Sequence, residues 1–193
     1  MKLSKLFLFK DFYKVLINEF GKDEAIVIWN EMQVELDKLE KEYPELDKKE
    51  SILPAAAIYR IIEKIKPGKG LETIRDYGTQ LGRKMEGILK TITALPGVPN
   101  IIWKHMDKIA NKMSSGYECR EVIVKEHKCS LDVVGCLLYD SAKKVDVPEV
   151  AQLFCFMDKV YMNGMRGVRY QRTKSIAEGD DCCDYRLEDS RNQ

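Results

Sequence analysis

The sequence has 193 residues, a formal net charge of +1, 33% charged residues and 45% apolar residues. This length fits one domain, or one domain with a helical extension, and it is sufficient for an extensive core. The near-neutral charge and the lack of a basic stripe interleaved with aromatic residues argue against a nucleic-acid-binding module and against charge-driven attachment to anionic membranes.

The N-terminal segment MKLSKLFLFKDFYKVLI has the features of neither a secretory signal nor a membrane anchor, because Lys10, Asp11 and Lys14 interrupt its apolar run. No stretch approaches the roughly 20 apolar residues that a membrane span needs. We therefore predict a cytoplasmic protein without a membrane partner. Its six cysteines would then be free thiols. They form no CxxC pair, so we expect no structural zinc, and the sequence suggests no other metal or cofactor.

Helical periodicity dominates the first 116 residues. The segment KDFYKVLINEF is predicted as a helix that ends at Gly21, and the next helix runs from GKDEAIVIW to a stop at Pro44. The charge run LDKLEKEYPELDKKE is predicted to be a solvated face and a connector. A third helix is expected to begin near Pro54, with this proline in its first turn, and to end at Pro67 and Gly68.

Two more helices complete this half of the chain. GLETIRDYGTQLGRKMEGILKTITAL is a long amphipathic segment, and LPGVPN is a clear break after it. IIWKHMDKIANKMSS is predicted as a single helix that is closed by Gly116.

After Gly116 the period changes to alternation. The segment ECREVIVKEHKCSLDVV is predicted as a strand, and GCLLYDSAKKV as a short helix. A longer helix follows, with Asp146 as its expected cap and with Pro148 and Glu149 in its first turn. GVRYQRTKSIAEGDD and CCDYRLE are strand-like, with a turn at Gly179 between them.

The predicted fold class is therefore α+β, with a helix-rich N-terminal half followed by a small antiparallel sheet with packed helices. The chain is expected to form a single domain over residues 1–193. Residues 1–116 are its helical part, and residues 117–193 are its α+β part.

The residues alone suggest several candidates for chemistry in the C-terminal part. Cys155 and Asp158 lie three apart on a predicted helix and therefore point to one side. Cys136 follows Gly135 at a predicted helix start, where a helix N-terminus lowers the pKa of a thiol. Arg172 and Thr173 enter the acidic turn, and a guanidinium and a hydroxyl there could hold a substrate carboxylate.

Each of these candidates also has a structural interpretation. A free cysteine is usually a small buried hydrophobe, and Cys183 alternates with Tyr185 and Leu187 as if on an apolar face. Asp184 would then lie on the polar outer face, and Asp180 would be a turn residue. For any single cysteine, the pattern favours this structural role.

The segments FCFMD and RTKSIAEGDDCCDY together resemble the closing signature of the L-2-amino-thiazoline-4-carboxylic acid hydrolase family. That signature consists of Phe-Cys-x-x-Asp on a helix, Arg-Thr, and Gly-Asp-x-x-Cys-Asp-aromatic. SILPAAAIYRIIEK also resembles the family's earlier helix, so the similarity extends from about residue 50 to the end. This chain has Tyr185 where phenylalanine is usual, and an additional Cys182. The matching positions are Cys155, Asp158, Arg172, Thr173, Gly179, Asp180, Cys183, Asp184 and Tyr185.

The resemblance implies hydrolysis of a cyclic carbon–nitrogen bond in a thiazoline amino acid, giving an N-carbamoyl cysteine. Either a thiolate attacks the ring carbon C2 or a carboxylate activates water, and a metal-assisted route is disfavoured by the presence of only two histidines. The implied catalytic residues are Cys183, Asp184, Cys155 and Asp158. The implied substrate-binding residues are Arg172, Thr173, Cys136 and Asp180.

Two other functions remain open at this point. The chain could be a small-ligand-binding or sensor domain without catalysis, or the thiol and acid cluster could be a structural seam between sheet and helix. If the chain is a hydrolase or a ligand-binding domain, the expected partner is a small molecule with a carboxylate. A homodimer is left open.

Overall fold

The computed structural model describes residues 1–192, which form eight α-helices and one four-stranded sheet. Helices fill the chain before residue 117 and all four strands follow it, so the predicted α+β class is confirmed. The helices are α1 (Phe12–Phe20), α2 (Lys22–Glu42), α3 (Lys49–Ile65), α4 (Gly70–Thr93), α5 (Val98–Lys104), α6 (Met106–Ser114), α7 (Leu137–Lys144) and α8 (Gln152–Tyr161). The strands are β1 (Glu118–Lys125), β2 (Lys128–Gly135), β3 (Val168–Gln171) and β4 (Cys183–Asp189).

The chain divides into two compact units. The first consists of Met1–Tyr77 and Leu138–Leu153, and the second consists of Gly78–Leu137 and the residues from Phe154 onward. The first unit is helical, and the second contains the whole sheet. No helix within residues 1–192 combines the length and the apolar character that crossing a membrane requires.

The core of the first unit follows from apolar residues at helical spacing. Phe12 and Leu16 on α1 are completely buried. The ring of Phe12 meets Tyr77 edge-on with centroids 4.9 Å apart, and the Tyr77 hydroxyl donates a hydrogen bond to the Leu8 carbonyl at 2.7 Å. Burial of each large apolar side chain stabilises the fold by about 1.5–3 kcal/mol. Helices α2 and α3 add further buried apolar residues to this core: Ala25, Ile28, Met32, Leu36, Leu39, Ile52, Leu53, Ala55, Ala56, Ala57, Ile58, Ile61 and Ile62.

The expected start of α3 near Pro54 is wrong, because the helix begins at Lys49. Lys48 adopts a left-handed conformation with φ 53°, and its carbonyl accepts the N–H groups of Ser51 and Ile52, so the first turn forms there. Pro54 is buried inside the helix. The carbonyl that lacks its usual helical donor because of this proline belongs to Glu50, an exposed residue that water can reach.

The helix predicted over IIWKHMDKIANKMSS is in fact two helices, α5 and α6, which are separated at His105. His105 has non-helical angles (φ −118°, ψ 22°), and its N–H bonds the carbonyls of Ile101 and Ile102. Asp146 is also not the predicted cap. It has φ 55°, and Val147 takes the capping position before the short turn Pro148–Ala151 that precedes α8.

The sheet has the order β1-β2-β4-β3 with antiparallel pairs throughout, so β1 and β3 are its edges. The segment predicted as one strand after Gly116 is a hairpin whose two strands, β1 and β2, reverse at residues 126 and 127. Alternation continues on both sides of this reversal, and no glycine or proline marks it. Cys183, Tyr185 and Leu187 lie opposite Val133, Leu131 and Cys129 in the β2–β4 register.

The inner face of the sheet forms the core of the second unit together with α6 and the turn after α8. Trp103 packs against this core and donates its indole N–H to the Gly167 carbonyl at 2.8 Å. The buried members are Met106, Ala110, Cys129, Leu131, Met162, Val168, Tyr170 and Leu187.

Close approach of α8 to α4 within the second unit depends on Gly82. A Cβ at this position would lie 2.6 Å from the Met157 carbonyl oxygen and 2.7 Å from the Val160 Cβ, both on α8. Any larger residue would push α8 away. Gly82 therefore helps to fix the position of the segment of α8 that carries Asp158.

Candidate functional site

The candidate site lies in the second unit, where α8 faces the ends of β3 and β4. Cys155 and Asp158 are one helical turn apart on α8. Arg172 directly follows β3, and Tyr185 lies in the middle of β4. The packing of α8 against the ends of these strands thus brings together residues that are separated by up to 30 positions in the chain.

Arg172 is at the centre of this arrangement, with a side chain that is only 1% exposed. Its Nη2 donates to the Cys155 carbonyl at 2.9 Å, and its Nη1 donates to the Tyr185 hydroxyl at 3.2 Å. The same Nη1 lies 4.0 Å from Oδ2 of Asp158. Burial opposes the charge, but interactions with Tyr170, Tyr185, Cys155 and Asp158 outweigh it and raise the pKa of Arg172, so the guanidinium is charged.

Asp158 is a carboxylate in an aromatic environment. The Tyr185 hydroxyl donates to its Oδ2 at 3.2 Å, and the Tyr161 hydroxyl also interacts with it. Burial raises the pKa of Asp158 to about 6, although Arg172 and the two tyrosines pull it down. A carboxyl with such a pKa can both accept and return a proton near neutral pH.

Cys155 and Cys183 are not activated thiols. Burial raises the pKa of both, and this outweighs the opposing effects of nearby donors and of Arg172. The donors are the Ser175 hydroxyl, 3.5 Å from the Cys155 Sγ, and the Ile176 N–H, 3.4 Å from the Cys183 Sγ. Both side chains are therefore protonated at neutral pH and poor nucleophiles in that form.

Asp184 lies on β4 between Cys183 and Tyr185 and takes part in a different network. Its Oδ1 accepts the backbone N–H groups of Thr173 (2.8 Å) and Lys174 (2.5 Å), and its Oδ2 accepts the Thr173 hydroxyl (2.7 Å). Burial opposes ionisation, but these donors lower the pKa of Asp184. The Asp184 carboxylate thus holds residues 173 and 174 in place, directly after the end of β3.

Asp180 closes the middle of the same loop. Its Oδ2 accepts the Ser175 N–H at 2.7 Å, and its own N–H donates to the Ser175 carbonyl at 3.1 Å. The carboxylates of Asp180 and Asp184 therefore hydrogen-bond residues of this loop, including Thr173, and belong to a network different from that of Asp158. Cys136 is half-buried immediately before α7 and lies near enough to Cys183 to influence the pKa of that thiol.

Three residues of the site were not predicted from the sequence: Tyr161, Tyr170 and Ser175. Tyr161 follows Asp158 by three positions on α8, and Tyr170 precedes Arg172 by two positions along a strand, so spacing could have revealed both. Ser175 is buried in a loop, and no local pattern indicates it. Across residues 1–192, no three His, Cys, Asp or Glu side chains are grouped in a way that could hold a metal ion.

Comparison with known proteins gives one result that covers almost the whole chain. A family model described as L-2-amino-thiazoline-4-carboxylic acid hydrolase matches residues 1–187. A search of curated proteins finds no significant relative.

Solved structures give distant similarities. An H-NOX protein from S. oneidensis in the Fe(II)NO ligation state is 12% identical, with a TM-score of 0.37, and the match covers 95% of this chain and 97% of that one. A mutant of the T. tengcongensis H-NOX is 14% identical, with a TM-score of 0.33, and the match covers 98% of both chains. Because both TM-scores are low, these similarities carry no argument about this chain.

Proposed function

Since the chain belongs to the L-2-amino-thiazoline-4-carboxylic acid hydrolase family, we propose that it hydrolyses a small cyclic amidine amino acid of the thiazoline type. The observation that supports this proposal is the half-buried Asp158, whose pKa is raised to about 6 beside the charged Arg172. A carboxylate activates water most efficiently when its pKa lies near the working pH.

The chemistry starts from the ring carbon C2, which is bonded to sulfur and two nitrogens. Asp158 removes a proton from water as the water oxygen attacks C2, and the ring nitrogen of the C2=N bond takes a proton from solvent. The tetrahedral carbon then expels the ring sulfur, which receives the proton held by Asp158, while the new hydroxyl releases its proton to solvent. One water is added in total, and the product is an N-carbamoyl cysteine.

These steps differ from the expectation, implied by the family resemblance, that a carbon–nitrogen bond of the ring is cleaved. Water adds across the C2=N bond, but the product keeps the ring nitrogen in its carbamoyl group. The bond that finally breaks is therefore C2–S.

The site favours the water route over the thiolate route. Cys155 and Cys183 both have raised pKa values, whereas a nucleophilic cysteine needs a lowered one. Asp184 is less suited than Asp158 to act as the base, because three donors from Thr173 and Lys174 already occupy its oxygens and stabilise its ionised form. We therefore assign the base to Asp158 and the recognition of the substrate carboxylate to Arg172.

The proposal is tested by measuring the release of N-carbamoyl cysteine from the thiazoline as a function of pH. We expect the rate to fall as the pH drops through about 6, because protonated Asp158 cannot accept a proton. Asp158→Asn should lower kcat by at least about 100-fold. Asp181→Asn, which changes an exposed aspartate, is the matched control and should have little effect.

A non-catalytic ligand-binding domain is the second candidate, and the aromatic, largely buried surroundings of Arg172 are compatible with it. Tight binding of the thiazoline without turnover by the wild type would favour this alternative. Turnover that is unchanged in Asp158→Asn would remove Asp158 from the mechanism.

A further inference from the structure

Two polar atoms near Asp158 are buried and have no hydrogen-bond partner among the described residues. They are the Tyr170 hydroxyl and Nε of Arg172. Tyr170 is only 8% exposed, and the Arg172 side chain is 1% exposed. Native proteins leave few buried polar groups unsatisfied, so each such group needs an explanation.

The two groups lie on the same side of the chain. Val168 and Tyr170 are buried in β3 while Arg169 and Gln171 are exposed, and the buried Arg172 side chain continues this alternation by one residue. Both side chains are also neighbours of the Tyr185 ring, since the Tyr170 ring centroid is 6.0 Å from its centroid and the Arg172 Cζ is 5.5 Å from it.

Neither group can easily find a partner within the protein. The Arg172 fork is held by the Tyr185 hydroxyl at Nη1 and by the Cys155 carbonyl at Nη2. Because the guanidinium is planar, these two bonds also fix the direction of the Nε–H. The Tyr170 hydroxyl can rotate but remains on the same buried side as this fixed donor.

We infer that the Tyr170 hydroxyl and the Arg172 Nε–H form the seat of the substrate carboxylate, with Tyr170 as a specificity-determining residue. This inference rests on the proposed function, because it names the part of the substrate that binds next to Asp158. A carboxylate has two oxygens that can accept from two donors at once, and it brings the negative charge that a buried guanidinium favours. Asp158 has an oxygen 4.0 Å from Nη1 and does not accept from the Nε–H, so this donor is still available to a substrate carboxylate.

The test is Tyr170→Phe, assayed by calorimetric binding and by turnover with two probes. One probe is 2-amino-thiazoline-4-carboxylate, and the other is 2-amino-thiazoline, which lacks the carboxylate. We expect the variant to bind the first probe about 10-fold more weakly and to bind the second as the wild type does. Tyr13→Phe, which removes a hydroxyl far along the chain in the first unit, should change neither affinity.

A second measurement guards against a purely structural effect. The hydroxyl of Tyr170 has no hydrogen-bond partner among the described residues, so Tyr170→Phe should leave the Tm of the ligand-free protein unchanged or higher. The proposed carboxylate site would be overturned by a lower Tm of Tyr170→Phe, by equal losses of affinity for the two probes, or by a wild type that does not bind the carboxylate probe.

The seat and the proposed function can fail separately. If the wild type hydrolyses the thiazoline but Tyr170→Phe binds it normally, the seat is wrong and the hydrolase proposal stands. If the wild type binds without turnover and Tyr170→Phe weakens only the carboxylate probe, the seat stands and the hydrolase proposal is wrong.

Discussion

At the scale of single residues, Tyr185 contributes one oxygen atom that joins a cation to an acid. Its hydroxyl accepts a hydrogen bond from Arg172 and donates one to Asp158, and both are 3.2 Å long. A phenylalanine would keep the aromatic ring next to Tyr170 and Arg172 but would interrupt this connection. The hydroxyl therefore acts on the protonation of Asp158 rather than on the packing of the sheet.

Tyr185→Phe should raise the pKa of Asp158 further, because the lost hydrogen bond stabilises the ionised carboxylate. The acid limb of the pH–rate profile should therefore move to higher pH, by about 0.5–1 unit. The profile is measured between pH 4 and pH 9 (about the range in which a carboxyl of raised pKa titrates), with Tyr13→Phe as the matched control. An unshifted acid limb would show that Tyr185 does not tune Asp158.

The thiols at the site should react slowly. Since burial raises the pKa of Cys155 and Cys183, we expect labelling of both by a thiol reagent at pH 7 to be slower than that of an unfolded peptide thiol. Cys183→Ala should retain turnover within about 10-fold, because the carboxylate route does not use a thiolate. Complete loss of turnover in a folded Cys183→Ala protein would restore the covalent mechanism.

At the scale of elements, the loop from β3 to β4 is held in place by two aspartates. Asp184 holds its start through Thr173 and Lys174, and Asp180 closes its middle through Ser175. The loop places Arg172 at one end and Cys183 at the other. Its geometry therefore determines where the guanidinium lies.

Asp184→Ala should lower the free energy of unfolding by about 1–3 kcal/mol, because two backbone N–H groups and one hydroxyl lose their acceptor. Urea unfolding at pH 7 measures this loss. Asp181→Ala, which removes only exposed ion pairs with Lys174 and Arg120, should change stability by less than about 1 kcal/mol.

The pKa of Asp184 gives this prediction a pH dependence. Its folded pKa is lowered, so the stabilisation is present above the unfolded pKa of about 4 and is lost as the pH falls through the folded value. The difference between wild type and Asp184→Ala should therefore shrink in acid. A constant difference would mean that the carboxylate charge contributes nothing.

Local patterns in the sequence predicted the elements but not their interruptions. The i, i+3 spacing of Cys155 and Asp158 and the alternation of Cys183, Tyr185 and Leu187 are correct, because a regular helix or strand imposes them. The break at His105 and the hairpin at residues 126 and 127 left no local signal. The pairing of Arg172 with the Cys155 carbonyl depends on tertiary contact, which spacing cannot show.

At the scale of the whole molecule, the predicted single domain remains a prediction, and the two compact units provide a way to test it. Each unit contains one tryptophan, Trp29 in the first and Trp103 in the second. Trp103→Phe leaves fluorescence that reports on the first unit, and Trp29→Phe leaves fluorescence that reports on the second.

If the chain is one cooperative domain, urea unfolding of Trp29→Phe and Trp103→Phe should each follow the same transition by fluorescence and by circular dichroism. The comparison of two probes within each variant removes the effect of the substitution on stability. Non-coincident curves in either variant would indicate that the units unfold separately.

The edge position of β1 has a consequence for handling the protein in solution. Val122 and Val124 are each 38% exposed on this strand, whose outer side has no neighbouring strand in the sheet. Charged side chains flank these valines, at Arg120, Glu121 and Lys125, and charges of this kind discourage two open edges from joining into a continuous sheet. Because dissolved salt screens charge, concentrated preparations in high salt should be the ones most prone to turbidity, and dilute buffers of low ionic strength should keep them clear.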